Sequence, residues 1–459
     1  MIRTAILNVV GLTPRLIGEH TPKIRAFMER QNSTLIEPVV PAVTCTAQAT
    51  YVTGRMPREH GIVANGWYDR DYAEHRFWKQ PEQLVQGEKL WDMLRKRDRE
   101  FTCAKVFWWY NMHSTADFAV TPRPLYLSDG SKVFDIHTQP MGMRDRMKRD
   151  LGEFPFMHFW GPASGIKSSE WIAASAKWIE EKHWPTLSLV YLPHLDYNLQ
   201  RVGLKMDLIR DDLRQIDDVV GDLISFYEKR DIQVVILSEY GITDVDRPVH
   251  LNRVFREKGW LSIKDEVGLE TLDLGGSRAF AIADHQLAHV YVNDPSILDE
   301  VRAVLEQTPG VQQVLGKVEK SYARLDHARS GDLIAIADER SWFTYYYWQD
   351  DTKAPDFARC VDIHRKCGYD PVELFIDPKL KFPKLKLAKT LAKKKLGFRY
   401  LMDVIPLDAT LVKGSHGRVP EDKMDWPVLI GGFSSLPQSS PVRADQVCDH
   451  LMNLCTMTK

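Results

Sequence analysis

The sequence predicts an α/β protein built on a doubly wound, mostly parallel sheet with helices on both faces. Short apolar segments alternate with longer segments of helical periodicity along most of the 459 residues. The apolar segments carry few polar residues, which is typical of strands that are covered on both faces. A chain of this length can hold one large core and a smaller inserted unit.

Six apolar segments of five to seven residues are the strand candidates. They are residues 5–10, 103–109, 187–192, 233–238, 288–292 and 428–432. Two long helices are predicted between strands, over residues 168–183 and 205–230. In the first, Trp171, Ala174 and Trp178 recur at helical spacing, and Ser168 or Ser169 is the expected N-cap.

The regular alternation predicts a core of residues 1–245 and 411–459. Residues 246–410 have a less regular pattern and are interpreted as an irregular α+β cap, with strands expected at 277–293 and 333–348. The cap contains eight lysines between Lys379 and Lys395. These could form a basic surface for an anionic partner. The favoured interpretation is a solvated helix, interrupted by Pro383, with Leu385, Leu387, Leu391 and Leu396 packed inward.

Composition excludes several classes of protein. The formal net charge of −1 gives no global attraction to nucleic acid, so no nucleic-acid partner is expected. No segment has the roughly 18 apolar residues of a membrane span, and the N-terminal apolar segment is too short for a signal peptide. We therefore expect a cytoplasmic protein. Cys360, His364 and Cys367 lack a fourth zinc ligand nearby, which favours free thiols on a helix over a metal site.

Polar residues follow several of the predicted strands. Because ligands bind at the carboxyl ends of strands in open α/β sheets, these residues are expected to meet at one edge. They are Gly11, Thr44, His194, Asp196, Glu239, Tyr240 and, before the last core strand, His416. His285 and His289 lie farther along the chain, and packing is favoured over a catalytic role for them.

The most informative segment is TCTAQATYVTGRMPREHGIVANGW, residues 44–67. It joins a hydroxyl-rich turn, a T-G break, an H-G pair and an asparagine. Such a segment can place the Thr44 hydroxyl at a helix start and return the Asn65 amide beside it. Thr44 could also serve as an N-cap, and that role is compatible with a nucleophilic one.

With these segments in place, the chain resembles the alkaline phosphatase superfamily. The similarity is greatest to its nucleotide pyrophosphatase/phosphodiesterase branch, with phosphonoacetate hydrolases nearby. Six landmarks occur in family order along nearly the whole chain. They are the N-terminal strand, the T-x9-G segment, HGIVANGWYD, the P-x-x-D segment, the S-E-Y-G segment and K-G-S-H-G.

The resemblance implies a two-metal hydrolase, usually with zinc ions about 4 Å apart. It implies that Thr44 is the nucleophile and that Asn65 donates a hydrogen bond to a phosphoryl oxygen. Asp196 and His416 match metal ligands of that family, and Glu239 stands where the family has an aspartate.

The sequence also departs from the family at metal-ligand positions. Val10 stands where the family has its first-strand aspartate, and Tyr240 stands in place of a histidine. Leu199 and Gln200 replace the Gly and His of the D-x-x-G-H motif. Six side-chain ligand positions therefore keep three usable ligands, whereas zinc normally takes at least three from the protein at each site.

A rearranged mononuclear site, or none, is therefore expected instead of a pair of metals. Gln200 would be a poor neutral ligand. His194 could replace a missing histidine if its segment stays extended, since residues i and i+2 then share a face. Tyr240 could be a core aromatic residue, or its phenol could occupy the volume of a missing metal.

Phe107 and Trp108, in an aromatic segment after a strand, could form a wall of a substrate pocket together with Tyr240. Core filling is the alternative for this segment. The expected ligand of such a pocket is a small anionic molecule, and the resemblance implies that it contains phosphate.

Three hypotheses for function follow. The first is a phosphoric ester or phosphodiester hydrolase that acts through Thr44 with an altered divalent metal site, expected to hold zinc. The second is a non-hydrolytic binding or assembly protein on the same scaffold. The third is a different metal-dependent chemistry in which His194, Asp196 and Tyr240 are acid–base groups. Fold does not decide among them.

Overall fold

The computed structural model describes residues 1–129, 131–398, 400–433 and 440–456, without the side chain of residue 394. The α-helices of this part of the chain are α1 Pro22–Glu29, α2 Thr44–Thr53, α3 Pro57–His60, α4 Leu90–Arg97, α5 Met143–Leu151, α6 Ile166–His183, α7 His194–Val202, α8 Met206–Glu228, α9 Leu251–Glu257, α10 Leu298–Gln307, α11 Lys317–Tyr322, α12 Pro383–Lys395 and α13 Val447–Thr456.

The strands form two larger sheets and several two-stranded ribbons. They are β1 Thr4–Val9, β2 Asn32–Glu37, β3 Gly66–Asp69, β4 Glu74–Phe77, β5 Cys103–Val106, β6 Phe118–Pro122, β7 Leu125–Tyr126, β8 Lys132–Val133, β9 Ile136–Gln139, β10 Leu187–Leu192, β11 Gln233–Leu237, β12 Thr243–Asp244, β13 Arg247–Val249, β14 Ser262–Glu266, β15 Leu269–Asp273, β16 Ala279–Asp284, β17 Leu287–Val292, β18 Val311–Leu315, β19 Leu333–Ala337, β20 Ser341–Phe343, β21 Gly414–Ser415, β22 Val428–Gly431 and β23 Val442–Arg443.

The larger sheet has nine strands in the order β23-β2-β22-β11-β1-β10-β5-β6-β9. Its centre is parallel, because β1 pairs in parallel with β10 and β11, and β5 pairs in parallel with β10 and β6. The antiparallel strands β22 and β9 lie outside this centre. The predicted α/β fold with a mostly parallel sheet is therefore confirmed.

Helices cover both faces of this sheet, as the apolar strand segments predicted. On β1, Ala5, Leu7 and Val9 belong to a buried cluster that includes residues of α6 and α8. Ile6 belongs to a second cluster that includes residues of α2, α4 and α13. Alternate residues of one strand thus pack into different layers, which explains why the strand has no exposed polar face.

The two long predicted helices exist with small changes at their ends. The helix expected at 168–183 is α6, which begins at Ile166 after the N-cap Gly165, so neither Ser168 nor Ser169 is the cap. The helix expected at 205–230 is α8, and Lys205 is its N-cap. Five of the six strand candidates match strands of the structure to within one residue, and the strand expected at 103–109 ends earlier, at residue 106.

A second sheet lies within the segment interpreted as a cap. It has four antiparallel strands in the order β16-β17-β19-β18. The residues of β16 and β17 are fully buried and share a cluster with residues of α9 and α10. The predicted boundaries at residues 246 and 410 stay a prediction.

Two local predictions in this segment are wrong. Pro383 does not interrupt a helix. It is the first residue of α12, where the backbone N–H has no partner within the helix, so proline loses no hydrogen bond there. Leu385, Leu391 and Leu396 do not pack inward, since more than half of each side chain is exposed. Leu387 is the member of this leucine set that packs against the cluster of the second sheet.

The three residues Cys360, His364 and Cys367 do not share a helix as expected. A short 3-10 turn ends at Arg359, and the two thiols approach different backbone carbonyls, those of Asp356 and Tyr345. His364 contacts the Phe77 carbonyl through Nδ1. All six cysteines are buried free thiols. Among the described residues, no helix is long and apolar enough to cross a bilayer.

Candidate active site

The predicted site residues meet at the carboxyl edge of the parallel strands. Thr44 begins α2, His194 and Asp196 follow β10 in α7, and Glu239 and Tyr240 follow β11. The β16–β17 hairpin reaches the same edge, because the Gln286 N–H donates to the His416 carbonyl at 2.8 Å. The site is therefore shared by the large sheet and the second sheet.

Thr44 is the first residue of α2, and Val43 is its N-cap, so the proposed cap role of Thr44 is wrong. The Asn65 Oδ1 accepts a hydrogen bond from the Cys45 N–H at 3.0 Å. This bond brings the Asn65 amide back beside the helix start. The Asn65 Nδ2 donates to Asp284 Oδ1 at 3.1 Å, so this donor already has a partner.

The Thr44 hydroxyl belongs to a chain of hydrogen bonds. Tyr240 donates its phenolic proton to Asp196 Oδ1 at 3.1 Å. The Tyr240 oxygen lies 3.2 Å from Thr44 Oγ1. Because the phenol has one proton and an ionised carboxylate only accepts, Thr44 donates to Tyr240 in this arrangement. We call Thr44, Tyr240 and Asp196 the relay.

Asp196 lies on α7 four residues before Gln200, so the two side chains share a helix face. Gln200 Nε2 donates to Asp196 Oδ2 at 2.7 Å, and its Oε1 accepts from the Tyr369 hydroxyl at 3.0 Å. Burial raises the pKa of Asp196 to about 7, and the bonds from Tyr240 and Gln200 offset only part of that rise. Near neutral pH this carboxyl is thus close to half ionised.

Glu239 has a different environment. Its Oε1 accepts hydrogen bonds from Gln48 Nε2 at 2.6 Å and from Asn8 Nδ2 at 2.5 Å. The Gln48 Oε1 in turn accepts from the Trp109 N–H at 2.7 Å. Burial raises the pKa of Glu239 to about 8, so it is mostly protonated at pH 7. We call Glu239, Asn8 and Gln48 the clamp.

His416 is held as a neutral imidazole. Its Nδ1 lies 2.7 Å from the Ala42 carbonyl, which can only accept, so the ring proton is on Nδ1. Its Nε2 lies 3.8 Å from Asp196 Oδ1. Burial lowers the pKa of His416 well below its usual range. The ring stacks on that of Tyr240, with centroids 3.6 Å apart and planes at 6°.

The β16–β17 hairpin adds Asp284 and His285 to the site. His285 adopts a positive φ of 62° in the turn, and its Nδ1 lies 2.8 Å from Asp284 Oδ1. Its ring lies between those of Tyr369 and His416, with centroids 3.7 Å from each. His285 therefore packs in the site, whereas His289 contacts the Val63 carbonyl through Nε2.

Three predicted site residues, His194, Phe107 and Trp108, contact groups outside the relay. His194 begins the helix α7, so the extended segment that would have placed it on the same face as Asp196 does not exist. Its Nε2 lies 3.3 Å from Asp212 Oδ1 instead. Phe107 packs among Phe154, Phe159 and Trp171 in one core cluster.

Trp108 belongs to the cluster on the other side of the sheet. Phe107 and Trp108 therefore do not form one face of a common pocket with Tyr240.

The described side chains do not fit the metal ligand set that the resemblance implies. Both oxygens of Asp196 already accept hydrogen bonds, and Glu239 Oε1 accepts two. Val10 is a fully buried hydrocarbon. Within the described ranges, no three His, Cys, Asp or Glu side chains are arranged to hold a metal ion. The predicted set of Asp196, Glu239 and His416 is thus not assembled as a ligand group.

Comparison with known proteins identifies the family. The family model of type I phosphodiesterase / nucleotide pyrophosphatase matches residues 4–370. The chain belongs to this phosphodiesterase family. Members of the family are phosphodiesterases and nucleotide pyrophosphatases, and in general they depend on divalent metals.

One curated relative is an uncharacterized pyrophosphatase/phosphodiesterase of Schizosaccharomyces pombe. It is 25% identical over 248 residues, which are 51% of this chain and 44% of the relative. The matched part of this phosphodiesterase-family chain thus spans less than half the length of that relative.

Solved structures share the fold. Murine ectonucleotide pyrophosphatase/phosphodiesterase 5, as an inactive threonine-to-alanine variant with AMP, has a TM-score of 0.60 at 13% identity and covers 100% of this chain and 96% of its own. Phosphonoacetate hydrolase from Sinorhizobium meliloti, with phosphonoacetate, has a TM-score of 0.62 at 14% identity and covers 99% and 96%. At these low identities, the structural likeness shows a shared fold and no more.

Sequence reasoning missed four residues that contact the predicted set. Asn8 is a polar residue in an apolar strand, and Gln48 lies one helical turn after Thr44. The sequence pattern could therefore have indicated both as site residues. Asp284 and Tyr369 come from distant segments, and only the tertiary structure places them beside Asn65 and Gln200.

Proposed function

We propose that this protein hydrolyses phosphate esters or phosphodiesters with Thr44 as the nucleophile and the relay as its proton acceptor. The observation that supports the proposal most is the unbroken hydrogen-bond chain from Thr44 through Tyr240 to Asp196. A threonine hydroxyl is a weak nucleophile near neutral pH and needs an adjacent base. The relay supplies that base by way of one phenol.

In the first step, Thr44 Oγ1 attacks phosphorus and the bond to the leaving oxygen breaks. The Thr44 proton passes to the Tyr240 oxygen, and the Tyr240 proton passes to Asp196 Oδ1. The leaving alkoxide takes a proton from solvent. The product of this step is an alcohol and a phosphoryl group on Thr44.

In the second step, water attacks the phosphoryl group and releases a proton to solvent. Thr44 Oγ1 leaves and recovers its proton from Tyr240, which recovers one from Asp196. The sum is addition of one water to one ester bond. The start of α2 provides the positive end of a helix dipole beside the anionic group.

No step of this mechanism passes through a metal, because the described donors do not form a three-ligand group. Zinc is therefore not part of the proposal. The substrate class is a small phosphate-containing molecule. Two structural neighbours were solved with AMP and with phosphonoacetate bound, which supports this class.

Detection of the covalent intermediate tests the proposal directly. Purified protein is mixed with an aryl phosphodiester and with a nucleoside pyrophosphate, with and without EDTA, and quenched in acid. Mass spectrometry of the peptide that contains Thr44 should show a phosphoryl or nucleotidyl adduct, and released phenol should appear in the same samples. Absence of both product and adduct under all conditions, with added zinc, manganese or magnesium included, would overturn the proposal.

A second candidate is a binding protein that has lost hydrolysis. It is favoured by the enclosure of the site, since Thr44, Tyr240 and His416 are buried and the Tyr240 and His416 rings are stacked. Such packing leaves Thr44 little access to a substrate in this conformation.

Calorimetric titration with AMP distinguishes the two candidates. Binding without product, unchanged in Thr44→Ala, supports the second candidate and contradicts the first. Turnover that is lost in Thr44→Ala contradicts the second.

A further inference from the structure

The segment around α12 carries an exposed surface that is both apolar and basic. Seven of the 22 large hydrophobic side chains exposed among the described residues lie between residues 376 and 401. Five of these, all at least half exposed, are Phe382, Leu385, Leu391, Leu396 and Phe398. Scattered exposed apolar residues are normal on a protein, whereas a cluster of this kind marks a binding surface.

The inner face of α12 is docked on the rest of the protein. Thr390 is buried, and Leu387 packs against the cluster of the second sheet. Lys386 Nζ bonds the Asp403 carbonyl at 2.7 Å and pairs with its carboxylate at 2.8 Å. The orientation of the helix is therefore set by contacts on one side.

The outer face presents an apolar strip. Leu385, Ala388, Ala392 and Leu396 are exposed and recur at i, i+3, i+7 and i+11, which places them on one face of a helix. With 13 residues, α12 is about 20 Å long at 1.5 Å per residue. This length suits a helix that lies flat on a surface and is too short to span a bilayer.

Lysines flank this strip. Lys384, Lys389, Lys393 and Lys395 are exposed, and the sequence contains no acidic residue between Asp377 and Asp403. The protein as a whole has a net charge of −1, so the positive charge here is a local feature. Lysine beside exposed leucine on a helix is the pattern of interfacial helices that bind anionic lipid surfaces.

We propose that α12 and its flanking residues, with Lys384, Lys389 and Lys393 beside Leu385 and Leu396, bind the surface of an anionic phospholipid membrane. The lysines attract the headgroups, and the apolar strip enters the boundary between headgroups and acyl chains. A nucleic acid would use the lysines and leave the leucines exposed to water. An anionic membrane uses both, which is why the exposed set favours it.

Sedimentation of the full chain with vesicles tests the proposal. Vesicles of phosphatidylcholine that contain phosphatidylserine should pellet the protein at low salt, and vesicles of phosphatidylcholine alone should not. Binding should weaken as salt rises, because the lysine contribution is screened. Failure to bind the anionic vesicles at low salt would overturn the proposal.

Charge variants assign the binding to this segment. The triple variant Lys384→Gln, Lys389→Gln, Lys393→Gln should lower the partition coefficient about a hundredfold, at about fivefold per lysine. As the matched control, exposed lysines outside the segment are replaced in Lys167→Gln, Lys229→Gln, Lys258→Gln. Equal losses in the two triple variants would contradict a specific surface.

Leucine variants separate a membrane from other anions. Leu385→Ser with Leu396→Ser should lower vesicle binding about tenfold or more, since buried apolar area is lost. Leu208→Ser is the control, because Leu208 is 56% exposed on α8. The proposal would be overturned if the leucine variant bound vesicles as tightly as the unchanged protein. It would also be overturned if the protein bound duplex DNA more tightly than anionic vesicles. Circular dichroism and thermal unfolding of each variant verify that the fold is kept.

Discussion

Two carboxyl groups of the site, Asp196 and Glu239, share burial but differ in their partners. Asp196 accepts from a phenol that also contacts the Thr44 hydroxyl. Glu239 accepts from the amides of Asn8 and Gln48 on a single oxygen. Burial raises the pKa of both, to about 7 and about 8.

The difference between the relay and the clamp indicates a division of roles. In the relay, the Tyr240 phenol can pass a proton to Asp196, and the other end of the chain is a potential nucleophile. In the clamp, the amide donors cannot pass on a proton as a phenol can, and they hold Glu239 in place. We therefore expect the relay to govern reactivity and the clamp to govern stability.

The largest expected effect is at the end of the relay. Thr44→Ala removes the nucleophile, so turnover of an aryl phosphodiester should fall by at least about 10³-fold. Thr44→Ser keeps a hydroxyl at the start of α2 and should stay within about tenfold of the unchanged protein. Steady-state release of phenol measures both, and equal activity of the alanine and serine variants would remove Thr44 from the mechanism.

The structure of the clamp predicts that removing the ionisable carboxyl of Glu239 stabilises the folded protein. A carboxyl whose pKa is higher folded than unfolded binds its proton more tightly in the folded state, so stability falls as pH rises from about 4.5 through 8. Glu239→Gln keeps an oxygen for Asn8 and Gln48 and removes this loss. Urea unfolding at pH 8 should show a gain on the order of 3 kcal/mol, with a smaller gain at pH 5.

Glu82 is the control for this prediction because it is a buried carboxyl that is paired with the ammonium group of Lys105. Its Oε2 lies 3.0 Å from Lys105 Nζ, and its pKa is lowered, with burial opposing the effect of Lys105 and Ser114. Its stabilising contribution is present above the unfolded pKa, so Glu82→Gln should destabilise at pH 8. A loss of stability in Glu239→Gln as well would show that the clamp holds an ionised carboxylate.

The middle of the relay predicts a smaller loss of activity. Tyr240→Phe keeps the ring that stacks on His416 and removes the oxygen between Thr44 and Asp196. Turnover should fall about 10²-fold with KM little changed, because a proton path is lost and packing is kept. Tyr369→Phe, which removes a contact to Gln200 outside the relay, should change turnover only a fewfold. Equal effects of the two would argue against a proton path through Tyr240.

Much of the architecture was predictable because it depends on local patterns. Apolar segments without alternation predicted buried parallel strands, and the strand expected at 187–192 matches β10 to the residue. The gathering of Thr44, Asp196, Tyr240 and His416 followed from the rule that strand carboxyl ends share one edge.

Other features were not predictable because they depend on tertiary contacts. His194 and Asp196 would share a face only in an extended segment, and the chain instead begins a helix at His194. The leucines of α12 have the spacing of a packed helix, and only the docking of Leu387 and Thr390 shows which face is inside. Asp284 reaches Asn65 from a strand more than two hundred residues later, and no local pattern encodes that pairing.

The smallest expected effect, and the one that separates the relay from the clamp most sharply, is pH dependence. Asp196 must be ionised to accept the proton of Tyr240, and its pKa is about 7. Turnover should therefore rise about tenfold per pH unit below 7 and level off above it. Asp196→Asn should remove this inflection, whereas Glu239→Gln should leave it in place. If instead the inflection disappears in Glu239→Gln, then Glu239 is the base, and the roles of the two carboxyl groups are reversed.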